Sequence, residues 1–217
     1  MNSGRRLTAV AATLAALFLV DAGLAVALPV PNFDLVFALA VQSLDWQPLA
    51  ILMTATNWLA DLRQALFAGI VIALLALVSR RSALLLLAGV PASIATQILK
   101  LAVQRPRPPA NVLHVSYPET SFGFPSGHAT FYAWFVPLLV VGLTPWLPKS
   151  LRLPIYVVAA LVVLIGGLAR VWAGAHWPTD VLGGLLLGGS WAAMVIRLLG
   201  VPRPSVLTAH PGRAELI

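Results

Sequence analysis

Long apolar runs separated by short polar clusters organise this chain. Six runs, roughly 7–28, 63–79, 82–103, 127–147, 151–170 and 179–199, are rich in Leu, Ala and Val and nearly empty of charge. A hydrocarbon core of ~30 Å takes ~20 apolar residues as a helix, and backbone groups in lipid must bond internally, so each run predicts a spanning helix. The runs are continuous rather than alternating in polarity, which argues against a transmembrane barrel. The expected fold class is all-α, a polytopic six-transmembrane-helix bundle.

Between the first two runs, residues 29–62 are mixed, with Pro29, Pro31, Asp34, Asp45, Trp46, Trp58 and Asp61 among apolar positions. Leu35, Leu39 and Val41 to Leu44 suggest a short amphipathic helix on the membrane interface, a depth that suits the tryptophans. A partly buried seventh element at 47–59 is compatible with the pattern, although Thr54, Thr56 and Asn57 argue against a lipid-exposed span. Asp21, near the outer end of the first run, reads as an acid reaching the interface or pairing with a neighbouring helix. The first run is expected to be a retained anchor rather than a cleaved signal, because its apolar stretch continues through Leu28. Residues 1–200 are expected to form one domain with a motif-bearing core at about 82–191. Val201 to Ile217, with Pro202, Pro204, Pro211 and Gly212, cannot continue the last helix and is expected to be a cytoplasmic tail in which His210 has no role.

Composition supports this organisation. Charged residues make up 10% of the chain against 59% hydrophobic, too few to cover a water-facing surface. The net charge of +7 would suit nucleic acid if the basic residues clustered with aromatics. They instead fall on alternate loops. With the N-terminus inside, Arg5, Arg6, Arg80, Arg81, Lys149, Arg152, Arg197, Arg203 and Arg213 lie on the cytoplasmic side, as the positive-inside rule expects. Arg63, Lys100, Arg105, Arg107 and Arg170 are left for the outer side, with the long segments 104–126 and 170–180. No nucleic-acid partner is expected. The absence of cysteine excludes disulfides and thiolate metal sites.

Three polar clusters carry the candidate chemistry. Lys100 ends the third run, and beyond it an Arg-Pro repeat offers Arg105 or Arg107. Two cations at the rim of an apolar bundle suit phosphate, since Arg presents a planar fork to its oxygens and Lys a point charge. Spacing alone does not choose between the two arginines. Pro125-Ser126-Gly127-His128 opens the fourth run, placing Ser126 at an N-cap with the unpaired first-turn amides beside it as an oxyanion cradle. Gly127 permits close approach of a ligand, and His128 is placed to donate a proton to a leaving oxygen. Arg170 ends the fifth run, and His176 precedes Asp180 by four residues around Pro178. A helical turn there lets the carboxylate reach one ring nitrogen and leaves the other free as a nucleophile.

At these residues the chain resembles the type 2 phosphatidic acid phosphatase family, the membrane branch of the superfamily that includes vanadium haloperoxidases. The resemblance runs from about Phe33 to Trp191. Its motifs read Lys100-Leu-Ala-Val-Gln-Arg-Pro-Arg107-Pro108, then Pro125-Ser126-Gly127-His128, then Ala169-Arg170-Val-Trp-Ala-Gly-Ala-His176-Trp-Pro-Thr-Asp180. The family pattern selects Arg107 over Arg105. Ala169 stands where the third motif usually has Ser, so a hydroxyl that commonly helps to hold phosphate is missing.

The resemblance implies a two-step hydrolysis with catalytic His176, His128 and Asp180 and phosphate-binding Lys100, Arg107, Ser126, Gly127 and Arg170. His176 would become a phosphohistidine while His128 protonates the leaving group, and no metal or other cofactor is required. The expected partners are the bilayer and a membrane lipid phosphate, with undecaprenyl diphosphate first and phosphatidylglycerophosphate, phosphatidate or lipid A phosphates as alternatives. A lipid phosphotransferase and a non-enzymatic lipid transporter are the readings of another class. The expected location is a bacterial inner membrane, both termini cytoplasmic and the site at the outer face. Oligomeric state is unreadable, because Gly166-Gly167 and Gly183-Gly184 serve packing within a monomer as readily as between monomers.

Overall fold

Each apolar run forms a helix, and one of them is broken in two. The computed structural model describes residues 3–28, 30–44, 47–59, 61–116 and 118–202. In chain order the helices are α1 (Ser3–Ala27), α2 (Asn32–Gln42), α3 (Gln47–Trp58), α4 (Asp61–Val78), α5 (Arg80–Leu87), α6 (Val90–Val103), α7 (Gly127–Leu143), α8 (Lys149–Trp172) and α9 (Pro178–Leu199). A 3-10 turn, Thr144–Trp146, follows α7, and no strand occurs among the described residues. The segments Ser3–Ala27, Arg80–Val103, Gly127–Trp146, Lys149–Trp172 and Pro178–Leu199 are each long and apolar enough to cross a membrane. The pair Ala50–Trp58 and Leu62–Val78 is bent by 79° and makes a sixth where the two are counted as one broken span. Leu77, Leu153 and Leu198 face outward, an arrangement that hydrocarbon favours and water does not.

The run expected as one span at 82–103 breaks at Ala88-Gly89 because another helix needs the space. A Cβ on Gly89 would stand 2.2 Å from the Trp134 ring of α7. The carbonyl of Ala88, freed by the break, accepts the Trp191 indole N–H at 2.8 Å, and the Trp134 indole donates to Ser93 Oγ at 2.9 Å. Nothing in the apolar pattern announces that break.

Helix α9 packs chiefly against α1 and α7. At Gly184 and Gly188 a Cβ would stand 2.5 Å from Ser126 O and 2.4 Å from Thr130 O, so the two backbones approach as only glycine allows. These glycines pack helices within the chain. The element at 47–59 is helical, α3, and packs on α8 with Met53 and Asn57 buried. The short helix expected between the first two spans is α2, which turns Asp34, Ala38 and Val41 inward and contacts α8 and α9. Of the two readings of Asp21, the structure favours the neighbouring helix: the side chain is buried in the bundle, in the room that Gly183 leaves on α9. Pro29, Asp45 and Trp46 lie outside the described residues, as does the tail from Arg203 onward with Pro204, His210, Pro211, Gly212 and Arg213.

Candidate active site

After Arg170 and Trp172 the chain leaves α8 through Gly174 at φ +67°, where a Cβ would stand 2.2 Å from His114 O. Glycine is required there on both counts. The amides of Ala175 and His176 then donate back to Arg170 O at 3.1 and 3.2 Å, and Pro178 starts α9. Asp180 Oδ2 accepts the Trp177 amide at 3.0 Å, capping the helix, and lies 3.4 Å from His176 Nδ1. One carboxylate thus serves as cap and as histidine partner. On the other side of the ring, Arg107 Nη1 is 3.1 Å from His176 Nε2. A guanidinium only donates, so Nε2 is the acceptor and the ring proton sits on Nδ1, facing Asp180. Burial, then the positive charge of Arg107, Arg170 and Lys100 and the nearby His128, holds His176 well below its usual 6.5 and keeps it neutral.

A cavity of about 690 Å³ opens from this ring. Its polar end is lined by Lys100, Arg107, Glu119, Gly127, His128 and His176, and its other wall runs between α4 and α6 past Ala68, Ile72 and Val90. Lys100 is buried and donates to Phe122 O at 2.5 Å. Arg107 donates to Ser121 O and Ala175 O, each at 2.6 Å. The Glu119 carboxylate bridges two guanidinium groups: Oε2 is 2.5 Å from Arg107 Nη2, and Oε1 pairs with Arg170 Nη2. Three cations against one carboxylate leave two positive charges around the cavity, the complement of a phosphate monoester dianion.

Of the residues selected from sequence, Lys100, Arg107, Gly127, His128 and His176 converge on the cavity, with Asp180 behind the ring and Arg170 joined through Glu119. Ser126 holds the N-cap position of α7, but its hydroxyl makes no capping bond and has no partner among the described residues. Its backbone does the tethering, donating to Asp180 O at 2.8 Å. His128 is buried, and its Nε2 likewise has no hydrogen-bond partner among the described residues.

Two contributions were missed from sequence. Asn57 of α3 accepts from Arg170 Nη1 at 3.0 Å and donates to Ala169 O at 3.1 Å, so a residue read only as too polar for a span orients a cation of the third cluster. Glu119, which joins Arg107 to Arg170, lies outside the three motifs, in the segment between the first and the second. Arg105, left open beside Arg107 on spacing alone, turns away from the cavity. It pairs with Asp34 at 2.6 Å and Asp180 at 2.7 Å, with all three side chains sealed from solvent.

The profile of the PAP2 superfamily matches residues 81–203, more than half of the chain. The chain belongs to the PAP2 superfamily. This PAP2 protein is 38% identical over 96 residues to phosphatidylglycerophosphatase B of Bacillus subtilis, a match covering 42% of this chain and 45% of that one. The chain thus spans less than half the length of that relative. It is 31% identical to decaprenylphosphoryl-5-phosphoribose phosphatase of Mycobacterium tuberculosis over 76% of its own length and 90% of the relative's. Among solved structures, a transmembrane PAP2-type phosphatidylglycerolphosphate phosphatase from Bacillus subtilis superposes with a TM-score of 0.74 at 25% identity, over 85% of this chain and 93% of that one. With its apolar spans and this transmembrane PAP2 neighbour, the protein is an integral membrane protein.

Proposed function

We propose that this member of the PAP2 lipid phosphatase family hydrolyses a phosphomonoester or diphosphate on a membrane lipid through a phosphohistidine at His176, without a metal ion. The observation that carries the reading is the Glu119 carboxylate held between Arg107 and Arg170 in the cavity that His176 lines, an anion where a phosphate would bind. Phosphate displacing that carboxylate would take the two guanidinium forks, Lys100 and the first-turn amides of Gly127 and His128. His176 Nε2, carrying its lone pair, attacks phosphorus. The bond from phosphorus to the lipid-side oxygen breaks, and that oxygen takes a proton from His128. Water then attacks the phosphohistidine, His128 accepts its proton, the P–N bond breaks, and phosphate leaves with His176 neutral again. Charge spread over the nonbridging oxygens is stabilised by donors already in place.

The apolar wall of the cavity between α4 and α6 supports a lipid substrate, since an acyl or isoprenoid chain fits there while its phosphate sits at the cationic end. Undecaprenyl diphosphate is our first candidate. A relative in Sulfolobus acidocaldarius is an undecaprenyl-diphosphatase, 29% identical over 35% of this chain. Phosphatidylglycerophosphate is the second candidate, favoured by the Bacillus relative and the solved structure. The distribution of basic residues supports a bacterial inner-membrane location with both termini cytoplasmic and the cavity at the outer face. The test is phosphate release from a detergent-solubilised panel of undecaprenyl diphosphate, phosphatidylglycerophosphate, phosphatidate and lipid A, with EDTA throughout and His176→Ala as control. Release by the wild type alone supports the reading and ranks the substrates. Equal release by His176→Ala overturns it.

A further inference from the structure

Asp34 lies on α2, outside the residues that the family profile matches. Yet it is buried beside the start of α9, with both carboxylate oxygens accepting bonds at the back of the site. Its Oδ1 accepts the Thr179 amide at 2.9 Å, and its Oδ2 accepts the Thr179 hydroxyl and Arg105 Nη2, each at 2.6 Å. Arg105 Nη1 donates in turn to Thr179 Oγ1 at 2.6 Å and to Asp180 Oδ1 at 2.7 Å. Asp180 Oδ2, the remaining oxygen, faces His176 Nδ1. A continuous chain of charge-assisted bonds therefore runs from Asp34 through Arg105 and Asp180 to the ring.

Holding α2 against α9 does not need such a chain. Desolvating a guanidinium and two carboxylates is costly, and apolar side chains of similar volume would join two helices at least as firmly. What ions supply and packing cannot is a set orientation and a set charge. One guanidinium between two carboxylates neutralises neither fully, so Asp180 keeps negative charge to direct at the proton on His176 Nδ1. If Asp34 were uncharged, Arg105 would belong to Asp180 alone and that charge would be spent on the arginine.

We propose that Asp34, acting through Arg105, is a positioning residue for hydrolysis: it fixes the Asp180 carboxylate and shares the arginine's charge, so that His176 presents Nε2 to phosphorus. The inference rests on His176 being the nucleophile, as argued under Proposed function. Its pH signature depends on every charge around the pair. His176 is faced by Arg107 from the segment before α7, Arg170 from α8, Lys100 from α6 and His128 from α7. Asp180 is faced by Arg105, by Asp34 from α2, by Asp21 from α1 and by Lys100 from α6.

The experiment measures kcat, KM and the pH dependence of kcat/KM for folded wild type, Asp34→Asn and Asp34→Glu, with acid-labile phosphoenzyme trapping of His176→Ala in parallel. Asp34→Asn is expected to lower kcat on the order of tenfold with KM within about twofold. It should also move the acid limb to lower pH, because an imidazolium loses stabilisation when Asp180 is neutralised by Arg105. Asp34→Glu restores the charge and is expected to return the limb to its wild-type position. A merely structural residue would reduce the yield or melting temperature of folded enzyme and leave kcat per folded molecule and the limb unmoved; that result, with His176→Ala inactive, overturns the positioning role alone. Turnover by His176→Ala overturns the nucleophile and the inference with it. If Asp34→Asn does not accumulate, Thr179→Val removes only the bridging hydroxyl; a kcat fall at unchanged KM supports the proposal, and wild-type kcat counts against it.

Discussion

The two faces of His176 are built on opposite electrostatic plans. In front, Lys100, Arg107 and Arg170 outnumber Glu119, and the cavity gives a ligand access to the surplus positive charge. Behind, Asp34 and Asp180 outnumber Arg105 in a cluster sealed from solvent, and Asp180 turns an oxygen toward the ring. A histidine between them is polarised, with its proton held at the back and its lone pair presented at the front. The contrast is sharpest in one Arg-Pro repeat. Arg105 and Arg107 are chemically identical and two residues apart, but one is a buried strut and the other a ligand-facing fork.

His128→Ala is expected to lower kcat by ~10²–10⁴-fold on a lipid phosphate and by much less on p-nitrophenyl phosphate, whose leaving group needs no proton. Equal losses on both substrates would remove His128 from the leaving-group side. Next, Arg105→Ala is expected to destabilise the fold by about 3–5 kcal/mol, because two buried carboxylates lose their cation. Arg107→Ala should leave the melting temperature within a few degrees and raise KM instead. Similar melting losses for the two would erase the distinction between strut and fork.

Glu119→Gln removes the carboxylate that competes for Arg107 and Arg170, so inorganic phosphate and vanadate should inhibit several-fold more tightly. Weaker inhibition would mean that Glu119 orders the arginines rather than occupying their site. The acid limb of kcat/KM should lie below pH 6.5, since burial and the cations in front disfavour the imidazolium. The attacking form is then present throughout neutral pH and is lost only as pH falls through the lowered pKa. A limb above 6.5 would mean that the negative charge behind the ring dominates. Ala169→Ser is expected to change activity by no more than about threefold, because Ala169 is fully buried and the neighbouring Arg170 is already oriented by Asn57.

Much of this was readable from one dimension. Span positions follow from the apolar runs, since lipid requires long uninterrupted helices and admits few charges. The pairing of His176 with Asp180 follows from a four-residue spacing at a helix start, because helical geometry is local. His128 and Gly127 follow from their place in the first turn of α7. By contrast, the break at Gly89, the burial of Asp21, the roles of Asn57 and Glu119 and the separate fates of Arg105 and Arg107 were not readable. Each depends on a partner far away in sequence: Trp134 for Gly89, α9 for Asp21, Arg170 for Asn57 and Glu119, Asp34 for Arg105. Periodicity and spacing report what a residue does to its own helix. Which of two neighbouring arginines meets a carboxylate in the dark of the bundle and which meets an open cavity is decided by the packing of helices from three parts of the chain, and only the tertiary structure holds that information.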